Sequence, residues 1–586
     1  MRITKESIAV SLVGTILVIA AFVLPNTVHI EAVVPPGSVS SPDKSLIIVR
    51  WCCFLDGLWC LFMGLTGWRW QRLAADSLIV PRQLDEVELL TKKQAALALS
   101  VVVVAGLLLR CLFLDSSFWL DEITPLTFYR DSSVFGLLTT YYSTNNHLFY
   151  TLLEKMAVSA FGEHEWAVRL PSVLIGVATI PVFYLLTRVI ANRWVSVATA
   201  FLLAVSYQHI FFSQNARGYT AHLLFTLAAT LFLIRGIKKD KVSHWAGYCL
   251  CIFLNMASII ASLSVLIAHF LIAIAASIVV QRRSKGGWAL FRRLSAVMFL
   301  ALLLVLHLYS IIFPQANAVV QETYKVQSTG FTLFSAEFLN EVVRGLKIAS
   351  GPKILLAAIP GLFISIAGLR AIFRCSWICL AALVLPEILL ASYLLKQGLA
   401  VSPRFFLLAL PFALLVFAVG FYVAVKVCLA KVSLAKASPQ KKLPPALLPI
   451  VFLFGILCVA AVNLPSLIQY YKIPKQDFRS ALLYVQSKPG KAYPFSIYTA
   501  REGVAYYANR SGLRLNQDFF DARTIPEFTE ILQKQNPANL YLITTFPRAL
   551  HLDHPELEPL MDKYWVVDKV FPGSIGDGDL TVWKPR

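Results

Sequence analysis

Charge is what this sequence has least of. Asp, Glu, Lys and Arg make up 15% of it, against 57% hydrophobic residues. A soluble protein carries roughly 25% charge and about 45–50% apolar residues, so the composition excludes a water-soluble chain and indicates a polytopic membrane protein. Cysteine is missing altogether after Cys458, so no disulfide framework supports the polar C-terminal stretch. The cysteines that are present lie in or beside apolar runs. Cys249-x-Cys251 and Cys375-x-x-x-Cys379 lack a partner at zinc spacing and read as small packing residues. Acidic residues are scarcer than basic ones, 33 against 53. From Tyr470 onward there are 15 Lys+Arg and 13 Asp+Glu, which leaves 38 against 20 before it. The basic excess therefore sits between the apolar runs, where it marks the cytoplasmic side. No basic patch on a polar domain invites nucleic acid.

The apolar runs predict thirteen spans: Ile8–Leu24, Leu46–Thr66, Ala95–Leu114, Trp166–Leu186, Trp194–Phe212, Tyr219–Ile234, Trp245–Ala261, Leu263–Val280, Leu294–Phe313, Ile354–Leu369, Trp377–Leu395, Phe405–Val425 and Leu447–Ile468. The first follows Arg2 and Lys5 and lacks a small-x-small cleavage site, so it reads as a retained span. Arg69, Arg72, Arg82, Lys92 and Lys93, then Arg188 and Arg193, then Arg235 to Lys241, Arg282 to Arg293, Arg370 and Arg374, and Lys426 to Lys442 all fall on one side. That side is the cytoplasm, with the N-terminus inside. Ser132–Phe161 is too polar to span and reads as interfacial helix, and Gln315–Gly351 is an outer loop. After Tyr470, helices at Asp477–Gln486 and Pro526–Gln533 alternate with strands at Phe495–Thr499, Leu540–Thr545, Trp565–Phe571 and Leu580–Trp583. The organisation is thus 1–93 with two spans and a cytoplasmic loop, 94–469 as the membrane module with its outer loop 115–165, and 470–586 as a small α/β domain outside the membrane.

The chemistry-bearing stretch is Phe118-Trp119-Leu120-Asp121-Glu122-Ile123-Thr124-Pro125, just beyond the third apolar run. Two carboxylates there are solvated, can approach a lipid headgroup and can take a proton from a hydroxyl; an ordinary polar loop is the plain alternative. Arg169, Arg217 and Arg404 each stand at an outer span end, against the inside preference of basic residues. A lipid phosphate explains them, because guanidinium binds phosphate through paired charged hydrogen bonds; snorkelling to headgroups is the other reading. His147 is suited to position an acceptor or a phosphate, or is structural. Glu387 lies within a span and is a candidate for function or for a hydrogen-bonded structural role. His551-Leu552-Asp553-His554 has ligand types for a metal, or is a solvated loop, and Asp577-Gly578-Asp579 is a turn.

Several of these stretches resemble the GT-C glycosyltransferase superfamily, on the branch with the protein O-mannosyltransferases and lipid A aminoarabinose transferases. They are Trp119-Leu120-Asp121-Glu122, Asn145-Asn146-His147-Leu148-Phe149-Tyr150, Phe161 to Ser172, Ser213 to Tyr219, and Arg404-Phe405-Phe406. Two departures stand out: His147-Leu148-Phe149 where the family often has His-Pro-Pro, and two spans ahead of the family's usual start. The resemblance implies transfer of a sugar from a polyprenyl-phosphate-linked donor to a lipid, glycan or protein acceptor at the outer face of the plasma membrane.

The chemistry fits that implication. A phosphate leaving group needs cations, for which Arg169, Arg217 and Arg404 are candidates. A hydroxyl acceptor needs a base, assigned to Asp121, with Glu122 holding base or substrate in place. His147, Tyr219 and Glu387 complete the expected substrate-binding set. Direct displacement inverts the anomeric centre. No cofactor is required, and a divalent metal has no support in the sequence. The competing class is a transporter or lipid flippase with an accessory outer domain, which predicts broken helices and paired ionisable groups at the bilayer midplane. A catalytically silent relative acting as a binding scaffold is the third.

Overall fold

The computed structural model describes residues 5–23, 42–65, 79–85, 88–141, 143, 145–284, 286–310, 312, 315–316, 319, 353–397, 403–435, 447–510 and 518–586. Helix α1 (Lys5–Val23) and α2 (Pro42–Leu65) form a hairpin covering the first two apolar runs. The hairpin reaches the rest of the bundle through Trp59 against Phe299 and through Asp56 and His307, whose side chains pair. Helix α3 (Lys92–Cys111) starts at a reciprocal cap in which Thr91 and Gln94 satisfy each other's backbone N–H. The segment beyond it, through α4 (Leu120–Tyr129), α5 (Val134–Thr139) and α6 (Leu148–Phe161), is helical in short pieces. Ser132–Phe161, the stretch expected to lie at the interface, supplies α5 and α6, and both are too short to span.

The membrane bundle continues with α7 (Glu165–Thr187), α8 (Arg193–Val205), α9 (Tyr207–Ser213), α10 (Tyr219–Lys239), α11 (Val242–Ser258), α12 (Leu263–Ser284), α13 (Gly287–Tyr309), α14 (Lys353–Lys396), α15 (Ala409–Ala435) and α16 (Leu447–Tyr470). Among the described residues eight helices are long and apolar enough to cross a membrane, or nine if α8 and α9 count as one. One expectation needs amending. The run Trp194–Phe212 is not one straight helix, because α8 and α9 meet at Ser206 with a 59° bend. Within α14 the runs Ile354–Leu369 and Trp377–Leu395 fall in two helical parts that meet at a kink, where Ser376 has extended backbone (φ −162°, ψ 95°). The Gln315–Gly351 loop lies almost wholly outside the described residues.

At one end of the bundle residues 79–85 and 88–91 tie the helices together. Glu88 pairs with Arg188 at 2.8 Å and Arg193 at 3.6 Å, and Asp85 accepts from Tyr422 and Lys426. Arg82 N–H donates to the carbonyl of Cys375 and Leu84 N–H to that of Ile190. The opposite end, where α4–α6 lie, carries the C-terminal domain.

That domain contains α17 (Phe478–Gln486), β1 (Tyr493–Ile497), α18 (Arg501–Ala508), β2 (Phe520–Ala522), α19 (Ile525–Lys534), β3 (Leu540–Thr545), α20 (Pro547–Asp553), α21 (Glu558–Tyr564), β4 (Trp565–Phe571) and β5 (Leu580–Pro585). The strand order is β2-β1-β3-β5-β4, parallel through β3 and antiparallel beyond it. One sheet face is closed by a core around Phe495, Phe528 and Trp565. The other closes on the membrane module. Phe478, Leu482, Val504, Ile543 and Val582 share a core with Phe118, Ile123, Tyr150, Val168 and Ala216. The acidic octapeptide is therefore inside a domain interface, with Phe118, Trp119, Ile123 and Pro125 buried and its carboxylates turned to two different environments.

Candidate active site

Asp121 and Glu122 occupy the first turn of α4. Being consecutive, they leave the helix about 100° apart, which is why they meet different partners. Glu122 is fully buried. Its Oε2 lies 2.7 Å from Arg169 Nη2 and its Oε1 accepts from Arg169 Nε at 3.0 Å, a two-pronged pair. Oε1 also accepts the Ala216 N–H at 2.9 Å, and Lys475 Nζ stands 3.8 Å away. Burial pushes the Glu122 carboxyl up, but Arg169, then Lys475, then the hydrogen bonds outweigh it and hold the pKa at about 2. Lys475 is pulled down to about 7 by burial, which the charge of Glu122 only partly offsets.

Arg169 has no donor left for a ligand. Its Nη1 donates to the carbonyls of Leu114 and Ser116 and to Ser116 Oγ, and its Nη2 to the Ser117 carbonyl as well as to Glu122. The guanidinium also lies over the Phe118 ring at 5.1 Å. It does not join Arg217 and Arg404 at Asp121; its donors hold the segment 114–122. The physical reason is burial, since a charge this deep is stable only with its partners built in.

Asp121 faces the other way. Its Oδ2 lies 3.0 Å from Arg217 Nη1 and 3.0 Å from Arg404 Nη1, and its Oδ1 accepts from Asn145 Nδ2 at 3.3 Å. Side chains from three other segments thus converge on one carboxylate. The Arg217 side chain is 3% exposed and its Nε is buried without a partner, whereas Arg404 is 39% exposed. Arg217 lies over the Tyr219 ring at 5.6 Å, and Tyr219 in turn stands 5.5 Å from the His147 ring. His147 at the N-terminus of α6 is buried, and its Nδ1 is 2.7 Å from the carbonyl of Ser258. His147, Arg217, Tyr219 and Arg404 are therefore assembled round Asp121.

Glu387 is not among them. It lies against the backbone amides of Leu408 and Ala409, at the start of α15. Its Oε1 is buried without a partner, and it stands apart from the side chains gathered at Asp121. In the C-terminal domain His551 pairs with Glu558 at 2.6 Å and His554 stacks on Tyr498 with ring centroids 3.5 Å apart. Among the described residues no three His, Cys, Asp or Glu side chains are grouped to hold a metal.

Six supporting residues escape the sequence reading. Arg110, buried in α3, donates to the carbonyls of Gly106 and Ala204 and to Ser213 Oγ at 3.1 Å, and meets His209 Nδ1 at 2.6 Å. It therefore binds both sides of the break between α8 and α9, and so sets the loop 214–218 that bears Arg217. A charge inside an apolar run was the available signal. Lys475 and Gln476 come from the linker after α16. Gln476 Oε1 accepts the Leu120 N–H at 2.9 Å while its Nε2 donates to Thr545 Oγ1, so it ties the acidic loop to β3. On the sidedness that the basic loops imply, Lys475 too runs against the inside preference of basic residues, as the three arginines do. His222, Asn255 and Ser262 form a buried polar cluster bracing the end of α11: His222 Nδ1 is 2.9 Å from Asn255 Oδ1 and 2.8 Å from Ser262 Oγ.

Residues 148–313, from α6 to α13, match the family model described as dolichyl-phosphate-mannose-protein mannosyltransferase. The resemblance to GT-C membrane glycosyltransferases, on the O-mannosyltransferase branch, is thereby borne out. Among curated proteins no sequence matches the chain. Among solved structures it is similar to ArnT from Cupriavidus metallidurans in the apo state, with 13% identity over 83% of this chain and 97% of that one and a TM-score of 0.46. The same protein bound to undecaprenyl phosphate gives 12% identity, 84% and 98% coverage, and a TM-score of 0.45. Archaeal oligosaccharyltransferase AglB from Archaeoglobus fulgidus, in complex with an inhibitory peptide and a dolichol-phosphate, gives 14%, 83% and 74%, and 0.43.

Proposed function

We propose that this membrane glycosyltransferase moves a sugar from a polyprenyl-phosphate-linked donor to a hydroxyl-bearing acceptor at the outer face of the plasma membrane, with inversion at the anomeric carbon. The observation that carries the reading is Asp121 Oδ2 standing 3.0 Å from both Arg217 and Arg404. Two guanidinium groups that converge on one anion form a site of the charge and donor geometry a phosphate needs. In the free protein the Asp121 carboxylate neutralises them. When a lipid phosphate takes up the arginines' donors, the carboxylate remains beside the reacting centre and is released to accept a proton.

In the reaction the bond between the anomeric carbon and the phosphate oxygen breaks as the acceptor oxygen attacks from the opposite face. Arg217 and Arg404 stabilise the charge gathering on the departing phosphate, so no proton has to be donated to it. Asp121 takes the proton of the attacking hydroxyl. Asn145 holds the second oxygen of Asp121 and keeps the carboxylate oriented. Glu122, clamped by Arg169 and backed by Lys475, fixes the loop and stays ionised. In this reading the C-terminal domain is extracytoplasmic, because it packs on the same end of the bundle as Asp121.

A transport reading draws on one observation, the 59° break between α8 and α9. The charge at that break, Arg110, is committed to its carbonyl, hydroxyl and imidazole partners, which suits a fixed corner better than a moving gate. The test is sugar transfer by the reconstituted protein from undecaprenyl-phosphate mannose or dolichyl-phosphate mannose to a panel of lipid, glycan and peptide acceptors. Release of polyprenyl phosphate that depends on an acceptor supports transfer. Movement of the intact lipid-linked sugar between leaflets, with no release, overturns it.

A further inference from the structure

His147 is held in one orientation by its surroundings. A Cβ placed on Gly218 would stand 3.1 Å from His147 Cβ and Nδ1 and 2.6 Å from the Ser258 carbonyl oxygen, so only glycine allows the ring this close to α11. The Nδ1 to Ser258 oxygen distance of 2.7 Å then fixes the tautomer. A carbonyl oxygen only accepts, so Nδ1 carries the hydrogen. Burial, then the charge of Arg217, holds the imidazole well below its ordinary pKa despite that hydrogen bond. The ring is therefore neutral near pH 7 and Nε2 carries a lone pair. That atom is buried and has no partner, although His147 is only 6% exposed. A buried acceptor left empty costs free energy, so it marks a position that a ligand completes.

The ligand group has to be a donor. A phosphodiester oxygen at neutral pH bears no proton and can only accept, so it cannot bond to Nε2 and is directed to Arg217 and Arg404. A sugar and a hydroxyl-bearing acceptor supply such donors chiefly as O–H groups. We infer that His147 Nε2 accepts a hydrogen bond from a hydroxyl group of the bound carbohydrate or acceptor, and so is the residue that tells a glycosylated lipid or its acceptor from bare polyprenyl phosphate. This rests on the functional reading above and narrows the two roles that the sequence leaves open for His147. The hydroxyl belongs either to the donor sugar or to the acceptor, and the two sources are separable by measurement.

The experiment uses the full chain in nanodiscs with two substitutions. His147→Asn keeps an N–H towards Ser258 but has nothing at the Nε2 position, whereas His147→Gln restores an acceptor there. Binding of undecaprenyl phosphate and of undecaprenyl-phosphate mannose is titrated, and acceptor KM is measured in the transfer assay. The expected result for His147→Asn is unchanged affinity for undecaprenyl phosphate with a loss of about 3- to 10-fold elsewhere, the size of one neutral hydrogen bond. The loss falls on mannolipid affinity if the hydroxyl is the donor sugar's, and on acceptor KM if it is the acceptor's; His147→Gln recovers most of it. An equal loss for both lipids, or no loss in any of the three measurements, overturns the assignment. Wild-type protein that binds neither lipid overturns the functional reading itself.

Discussion

Lys475 Nζ lies 3.8 Å from Glu122 Oε1, and the two come from opposite sides of a domain boundary. Glu122 is in the loop that presents Asp121, and Lys475 is in the linker that leads from α16 into the sheet domain. With Arg169 they form a buried group of one carboxylate, one guanidinium and one amine that holds the loop and the domain in one arrangement. The Phe118 N–H donating to Tyr507 and the Thr124 hydroxyl donating to Glu502 extend the same contact.

Acid should therefore loosen the domain. The folded-state pKa of Glu122 is depressed to about 2 from 4.5, so its contribution is complete above pH 4.5 and is lost as pH falls toward 2. A tenfold change in proton affinity is worth about 1.4 kcal/mol, so the contribution is on the order of 3 kcal/mol. Lys475 acts at the other end of the scale: its pKa is depressed from 10.5 to about 7, so its cost diminishes as pH rises from 7 toward 10.5. Thermal unfolding in detergent at pH 3 to 7 should show the acid limb in wild type and a much flatter one in Glu122→Gln. Removing one partner of a buried ion group costs about 3–5 kcal/mol, so that variant should also start from a lower midpoint. Identical acid limbs in the two proteins would remove Glu122 from this role.

Asp121→Asn keeps the size and polarity of the residue and removes the proton acceptor. General-base assistance is typically worth about 10²- to 10⁴-fold, so turnover should fall by that factor. Donor lipid binding should persist, since both arginines remain and lose a competing anion. A variant with wild-type turnover means that the acceptor needs no base, as when it is itself a phosphate.

What the sequence makes legible is the inventory; partner and depth are what it hides. The apolar runs, the carboxylate pair and the arginines against the charge rule all follow from residue types at a given distance from a span end. Arg169 and Arg217 look alike by that criterion, yet one is saturated by Glu122 and the loop carbonyls while the other keeps a buried Nε unpartnered. Only the packing of α4 against α7 separates them. The break at Ser206 is hidden for a similar reason: the apolar run is continuous through it, and the device that stabilises it is a side chain on a different helix, Arg110. In the C-terminal domain the long strands β3 and β4 carry their own alternating or apolar pattern. By contrast, β2 has three residues and α18 eight, too few for a period to show.

The side of the membrane is a separate test, and the sequence favours it because the C-terminal domain has no cysteine of its own. Lys534→Cys places a thiol at a side chain that is 68% exposed on the far side of α19 from the buried Phe528 and Leu532. An impermeant maleimide should label it in intact cells above the background of the unsubstituted protein. Labelling only after permeabilisation would put the sheet domain, and Asp121 with it, in the cytoplasm.

The three arginines give the decisive comparison. Arg217 and Arg404 reach Asp121 from loops that are far apart in sequence, and each presents Nη1 at 3.0 Å to the same carboxylate oxygen. If they clamp a phosphate, replacing either with Lys keeps the charge but loses the planar fork, and donor-lipid affinity should fall. A charged hydrogen bond is worth roughly 1.5–3 kcal/mol, a loss of about 10- to 150-fold. Snorkelling predicts no change, because Lys reaches headgroups as well as Arg does. Arg169→Lys should behave differently from both. A single ammonium cannot replace two prongs on Glu122 together with donors to Leu114, Ser116 and Ser117, so its main effect should be a lower unfolding temperature. At temperatures where that variant stays folded, the affinity for donor lipid should be close to wild type. Loss of lipid affinity in Arg169→Lys with no loss of stability would return Arg169 to the phosphate site, and wild-type affinity in Arg217→Lys and Arg404→Lys would take the other two out of it.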